Sequence, residues 1–344
     1  MNRFVTLKHV AQEAEVSVYS ASRALNGLDG VSEATSQRVL EAAKRLGYIP
    51  NRAAQFLRGE GANIVGILTA NAANVYYAKL VAGIEDVVRP AGYHTLAADA
   101  IEGEAYSTAR EDEFIETMLQ LRVAAVILSY RIQPENLARL VDRKTPVVFV
   151  DCTPPADFGD LPSAMSDGES ISVEVGRHFA EHGYQRWAYL GHNAGWPTRL
   201  GRERGIALAA QECGARLDVV EGVNSIESAY GVMGEFLATD PGRAMDALYT
   251  SNEPLLIGAI KALRAAGRRV GVDVGLISFD EFDWSTAVEP PISVVDQQTR
   301  DIGRYAGSLA LSAGGGAHGS AKAAMPKPSL TLRGSCGCQA EATH

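Results

Sequence analysis

Thr6-Leu7-Lys8-His9-Val10-Ala11, Val16-Ser17-Val18-Tyr19-Ser20-Ala21-Ser22-Arg23-Ala24-Leu25-Asn26-Gly27 and Gly47-Tyr48-Ile49-Pro50-Asn51-Arg52-Ala53-Ala54 decide how this chain is read. Thr6 is placed to cap a helix over Leu7–Glu13. Leu7, Val10, Ala11 and Ala14 then fall at i, i+3, i+4 and i+7, a single buried stripe. After a break at Ala14-Glu15-Val16, Ser17 caps a second helix running to Leu25, whose Ala21, Ala24 and Leu25 are small or apolar enough to lie close to the first. Asn26-Gly27 ends it with residues that tolerate positive φ, and Ser32 caps a third helix, which runs to Leu46 and closes a mini-core through Val39, Ala43 and Leu46. Two short helices about a tight turn form a helix-turn-helix, which sets its second helix in a major groove.

That geometry nominates contacts. Val18, Tyr19, Ser20 and Arg23 face outward. Val18 and Tyr19, at the start of the second helix, are candidates for thymine-methyl contact and base-edge readout, and Arg23 for a fork to guanine or a phosphate clamp. Charge agrees: residues 1–59 hold eight basic and five acidic side chains, a net of +3, so the rest of the chain carries −12 of the formal −9. A polyanion attracts only the basic head, and affinity should fall steeply as salt rises.

These stretches resemble the lactose/galactose repressor (LacI/GalR) family of bacterial regulators, and the likeness runs along nearly the whole chain. The resemblance implies that Thr6, Ser17, Ser20, Asn26, Ser32 and Tyr48 touch phosphates and that residues 51–58, beginning at Asn51, form a hinge helix. It further implies that Leu57 wedges into the minor groove beside Ala54; apolar wedges of this type kink a duplex. One departure is Glu15, where the family usually has glycine. A non-glycine there costs about 1 kcal/mol if φ is positive and brings a negative charge toward phosphate.

At 344 residues the chain is too long for a head alone; about 285 residues remain, enough for two lobes. From Asn63, apolar runs at 64–68, 95–98, 124–128 and 147–150 alternate with helical stretches. A second series starts at Met165 and continues through 188–190, 218–220, 247–249 and 275–279. Two consecutive βα series predict two doubly wound parallel sheets. The expected fold is therefore α/β, an all-α helix-turn-helix head plus a two-lobed body of doubly wound sheets; by resemblance this body is periplasmic-binding-protein-like. The expected domains are 1–49 (head), 50–60 (hinge and linker) and 61–344 (effector binding and dimerisation). Within the last, one lobe takes about 61–163 and 293–325, the other about 164–292 and 326–344.

In such sheets ligands sit beyond the carboxyl ends of the strands. Polar and aromatic residues there are Asn74, Tyr76 and Tyr77, then Asp167, Trp196 with Arg202, Asn252, Asp280 with Trp284, and Gln297. Carboxylates, amides, a guanidinium and aromatic faces suit a hydroxyl-rich ligand such as a sugar. Tyr76-Tyr77, Arg202, Asn252, Asp280 and Gln297 each match a family effector position by resemblance. Gly168, Ile171, Glu253 and Glu281 depart from the family pattern, so the ligand is not carried over.

Other classes are disfavoured. There is no Gly-x-Gly-x-x-Gly after the first strand, no P-loop, no nucleophile elbow and no paired histidines at metal spacing, so no catalytic group, cofactor or metal is expected. His9, His94, His178, His182 and His192 are dispersed. Cys152, Cys213, Cys336 and Cys338 are scattered, and Cys336-Gly337-Cys338 lacks the second pair a zinc site needs; they read as reduced thiols in cytoplasm. The first turn is polar, no apolar run approaches a membrane span, and an exported sugar receptor would lack the basic head. The glycine-rich run 312–320 reads as an inert surface loop. No leucine heptad follows the final strand, expected at Pro328 to Ser335, so the assembly expected is a homodimer without an added coiled coil. By resemblance, it is expected to bind double-stranded operator DNA and a small-molecule effector.

Overall fold

The computed structural model describes residues 5–25, 27–48, 62–70, 74–102, 105–193, 197–313 and 324–338. Asn26, Asn51, Ala54, Leu57 and Trp196, with the expected hinge and most of the glycine-rich run, lie outside them. The chain forms two compact units, 1–61 and 62–344.

The first unit holds α1 (Leu7–Glu13), α2 (Val18–Leu25) and α3 (Glu33–Leu46). Val10, Ala11, Ala14, Ala21, Ala24, Val39, Ala42 and Ala43 form its core. Small residues dominate because three short helices close only if their axes approach closely. His9 Nδ1 accepts from the Thr6 amide at 3.1 Å, and Ser32 Oγ accepts from the Thr35 amide at 3.3 Å. Gly47 ends α3 at φ +61°.

The second unit contains two parallel sheets. In the first, β1 (Ala62–Thr69), β2 (His94–Asp99), β5 (Val123–Leu128), β6 (Val147–Val150) and β7 (Ser163–Ala164) run in the order β2-β1-β5-β6-β7. A small hairpin, β3 (Ile101–Glu102) and β4 (Ala105–Tyr106), sits apart. In the second sheet, β8 (Arg186–His192), β9 (Arg216–Gly222), β10 (Ala247–Thr250), β11 (Gly275–Phe279), β12 (Ser293–Asp296) and β13 (Ser329–Thr331) run β13-β12-β11-β10-β8-β9. Counted within each lobe, both begin 2-1-3-4-5, so each has a switch point between its first and third strands. Helices cover both faces: α4 (Val75–Val88), α5 (Thr108–Leu121) and α6 (Pro134–Asp142) on the first sheet; α7 (Gly168–Glu181), α8 (Arg199–Cys213), α9 (Ile226–Leu237), α10 (Asp240–Ala244) and α11 (Glu253–Ala265) on the second. Separate apolar clusters fill the two faces of each sheet, which is why the strands read as unbroken hydrophobic runs.

Three expectations are corrected. The strand expected at Met165 is Ser163–Ala164, and it pairs with β6 in the first sheet, so the second sheet starts at β8. The return to the first lobe, expected at 293, comes after Asp296, because β12 pairs with β11; only then does α12 (Thr299–Ala313) pack on α4. The second sheet is not wholly parallel: β13 adds antiparallel to β12 at its edge.

Candidate functional site

On the head, Val18 and Tyr19 are exposed at the start of α2, 46% and 70%, values that leave both side chains open to a partner. Thr6, Ser17 and Ser32 are exposed; Ser20 and Tyr48 are half-buried. Ser17 Oγ accepts from the Ser20 amide at 3.0 Å, capping α2. Arg23, expected to point outward, instead closes the loop after α2: its Nε donates to the Asp29 carbonyl at 2.7 Å and its Nη1 to Tyr19 Oη at 3.2 Å. The guanidinium also lies 5.6 Å from the Tyr19 ring centre. Glu15 adopts φ +55°, the left-handed conformation the family's glycine would take without strain.

In the body, side chains from both sheets converge at the carboxyl ends of their strands. Asn74, Tyr76, Tyr77, Arg202, Asn252, Asp280 and Gln297 line one small cavity of about 30 Å³. Asn74 caps α4 by accepting from the Tyr76 amide at 2.9 Å, which aims the two tyrosines inward; their rings meet edge to face with centres 5.1 Å apart. Arg202, buried on the first turn of α8, stacks its guanidinium 3.6 Å from the Phe279 ring centre and donates to the Ser251 carbonyl. Asn252 caps α11 through Leu255 and donates to Asn224 Oδ1 at 2.7 Å. Asp280, at φ +77°, accepts from Gln297 Nε2, while Gln297 Oε1 accepts from Ser166 Oγ at 2.8 Å. Burial pushes the Asp280 carboxyl up to about 6 although Arg202 opposes the shift.

The cavity also takes residues the sequence reading passed over: Ser129, Tyr130, Asp151, His192, Pro197 and Thr198. Asp151 directly follows β6, so the rule that found Asp280 pointed to it equally. Tyr76 Oη donates to its Oδ2, its Oδ1 is buried without a partner, and burial raises its carboxyl despite the Tyr76 bond and Arg202. Burial, then Arg202 and Arg199, hold His192 down to about 3, so it is neutral at pH 7. Burial likewise raises the Tyr76 and Tyr77 hydroxyls well above their ordinary value.

Two expected residues stand elsewhere. Asp167 is exposed and caps α7, accepting from the Ser170 amide at 2.9 Å; the bonds from Ser170 hold its carboxyl low. Trp284 lines a separate hollow of about 580 Å³ with Ile260, Arg264 and Val288. Its indole N–H donates to Glu253 Oε1 at 2.6 Å, so a residue that departs from the family pattern anchors it away from the cleft. That larger hollow is walled mainly by apolar and basic side chains, with Glu289 as its one acid, and no amide side chain lines it. Of the dispersed histidines, two come together in space: His178 in the last turn of α7 and His182, its C-cap residue, stand beside Cys336 and Cys338.

A helix-turn-helix head on a two-lobed α/β body, with a polar cleft at the switch points, defines a ligand-responsive DNA-binding protein. Residues 6–51 match the family described as bacterial regulatory proteins, lacI family, and residues 177–336 match the periplasmic binding protein-like domain. The chain is 30% identical over 308 residues to the ribose operon repressor of Bacillus subtilis, covering 89% of this chain and 90% of that protein. It is 27% identical over 307 residues to catabolite control protein A of Priestia megaterium, covering 88% and 90%. A crystal structure of the Lac repressor dimer bound to operator and the anti-inducer ONPF superposes with a TM-score of 0.81 at 24% identity, over 97% of this chain and 99% of that one. The chain belongs to the lacI family of bacterial regulatory proteins, and it is a DNA-binding transcriptional regulator. Its relatives are regulators rather than enzymes, and among the described residues no helix is long and apolar enough to cross a membrane.

Proposed function

We propose that this regulator is a cytoplasmic repressor that binds a pseudo-palindromic operator as a homodimer and answers to a sugar or sugar derivative held between its lobes. Val18 and Tyr19 read base edges; Thr6, Ser17, Ser20, Ser32 and Tyr48 set the head on the phosphates. The observation that carries the effector reading is the convergence of Asp151, Asp280, Arg202, Asn252 and Gln297 with two tyrosines at one switch-point cleft. Vicinal hydroxyls donate to carboxylates and accept from amides and a guanidinium, while ring faces cover the apolar side of a pyranose. Trp196 joins this reading only as a candidate from the sequence. The ribose operon repressor and the Lac repressor dimer on its operator support repression and the dimer by similarity.

The test is a gel shift of the purified protein against its own upstream region, repeated with any sugar or sugar phosphate that raises its melting temperature, since a ligand specific to the native state stabilises it. The expected result is a retarded band at low salt that changes with the stabilising compound. Absence of retardation at every salt and ligand condition overturns the reading.

A further inference from the structure

His178, in the last turn of α7, and His182, its C-cap residue, stand one turn apart, so both rings leave the same side; their centres are 4.6 Å apart. Against that face lies the 3-10 turn Gly334–Cys336 and the residues after it. Cys338 Sγ is 3.3 Å from His182 Nε2 and 3.7 Å from His178 Nε2, and the donor atoms of His178, His182, Cys336 and Cys338 all lie within 4.8 Å of one another. Tetrahedral zinc, with Zn–S of about 2.3 Å and Zn–N of about 2.0 Å, sets its donors about 3.3 to 3.8 Å apart. Two of the separations already fall in that range, and the widest needs to contract by about 1 Å.

The surroundings hold the four donors in place. Gly337 turns the chain at φ +92° between the two cysteines, a conformation that strains any other residue, and a Cβ there would lie 2.5 Å from Tyr184 Oη and have to displace it. Tyr184 donates to the Cys336 carbonyl at 3.2 Å and stacks on His182 with ring centres 5.9 Å apart and planes at 16°. Glu181 Oε2 stands 3.9 Å from His178 Nδ1, on the side that leaves Nε2 for a metal, as carboxylates behind ligating histidines do. Cys336 and His178 are buried while His182 is exposed and Cys338 half-buried, so an ion has a way in.

We propose that His178, His182, Cys336 and Cys338 bind one Zn²⁺, closing a structural site that fastens the end of the described chain to α7. Two thiols release their protons to solvent and two neutral imidazoles complete a neutral four-coordinate centre, with no position open for chemistry. An S2N2 tetrahedron selects zinc over the harder divalent ions. None of the four donors lines the cleft.

The test uses the full chain, purified under reductant and stripped with a chelator. Zinc is then restored and counted per chain, cobalt is substituted and its absorption recorded, and melting is followed with and without metal. We expect one zinc per chain, intense tetrahedral d–d bands with thiolate-to-cobalt charge transfer, and a melting temperature that falls on chelation. Cys338→Ser and His182→Gln, on the accessible side, should keep the native far-UV spectrum while weakening zinc binding at least about tenfold. The proposal is overturned by sub-stoichiometric zinc in the reduced chain, by an octahedral cobalt spectrum, or by variants that bind zinc as tightly as the parent.

Discussion

Asp280→Asn isolates the cost of keeping an ionised carboxyl in the cleft. The folded protein raises this group from 3.8 to about 6, chiefly by burial. At about 1.4 kcal/mol per tenfold change in proton affinity, full ionisation in the folded state costs up to about 3 kcal/mol relative to the unfolded chain. Asp280 retains some solvent contact, which makes that an upper figure. Because the folded value lies above the unfolded one, the group's favourable contribution is complete below pH 3.8 and is lost as pH rises through about 6. Asparagine approximates the protonated acid, can still accept from Gln297, and tolerates the φ of +77° at least as well. The variant should therefore exceed the parent by about 1 kcal/mol near pH 4.5 and by up to about 3 kcal/mol near pH 7.5. For a unit of this size the larger difference is of the order of 5 °C in melting temperature. Paired thermal scans across that range, with effector response measured beside them, make the assay. The expected outcome is a more stable protein that no longer responds, the trade that functional acids impose. A stability gain that is the same at both pH values would place its origin in the backbone, and no gain at either would refute the buried-carboxylate argument.

Three further substitutions test other parts of the chain. Glu15→Gly should relieve a left-handed φ of +55° and stabilise the head by about 1 kcal/mol, while removing a negative charge near the duplex; tighter operator binding at low salt and a higher head melting point are the readouts. Exchanging Val18 and Tyr19 should change the preferred half-site bases in a binding selection, whereas a uniform loss over all sequences would assign them to the backbone. Gly205→Ala puts a Cβ 2.2 Å from the Glu169 carbonyl, forcing α8 off α7; a loss of about 1 to 3 kcal/mol in denaturant titrations is expected.

The elements easiest to read from sequence were those whose signal is local. Strand runs are uninterrupted because both sheet faces are covered, and Ser32, Asn74 and Asn252 announce their helices by capping them. Asp280 and Gln297 are legible because they directly follow strands, and Arg202 through the family resemblance. Asp151 obeys the same rule but is followed by Cys152, and a lone acid between apolar residues carries no periodic signature. The strand expected at Met165 lies just upstream because Ser163–Ala164 is only two residues long, too short for alternation to show. Trp284 lies outside the cleft because Glu253, on another element, holds its indole, and nothing local in the sequence reveals that bond. The two histidines and two cysteines are the extreme case. One pair is spaced for a helix face, the other for a turn, and only the tertiary fold brings segments more than 150 residues apart into contact.

The cleft as described is closed, and its closure has an inner and an outer part. Outside, Lys79 of the first lobe donates to the Glu281 carbonyl at 3.0 Å and pairs with Asp283 at 3.1 Å. Asp283 is almost fully exposed, so this pair adds little. Inside, Asp151 and Asp280 come from different lobes toward Arg202, each resisting ionisation because closure strips its water. Ligand pockets span about 300 to 1,000 Å³, an order of magnitude above the cavity that remains. Under the proposed function a hydroxyl-rich effector therefore parts the lobes to enter and then donates to these same acids, offsetting the desolvation that burial imposes on them. An upper figure of about 3 kcal/mol at Asp280 lies within the range of about 1 to 3 kcal/mol typical of coupling between sites. An effector without hydroxyls facing Asp280 would fill the space and leave that free energy untouched, so it would bind without switching the protein.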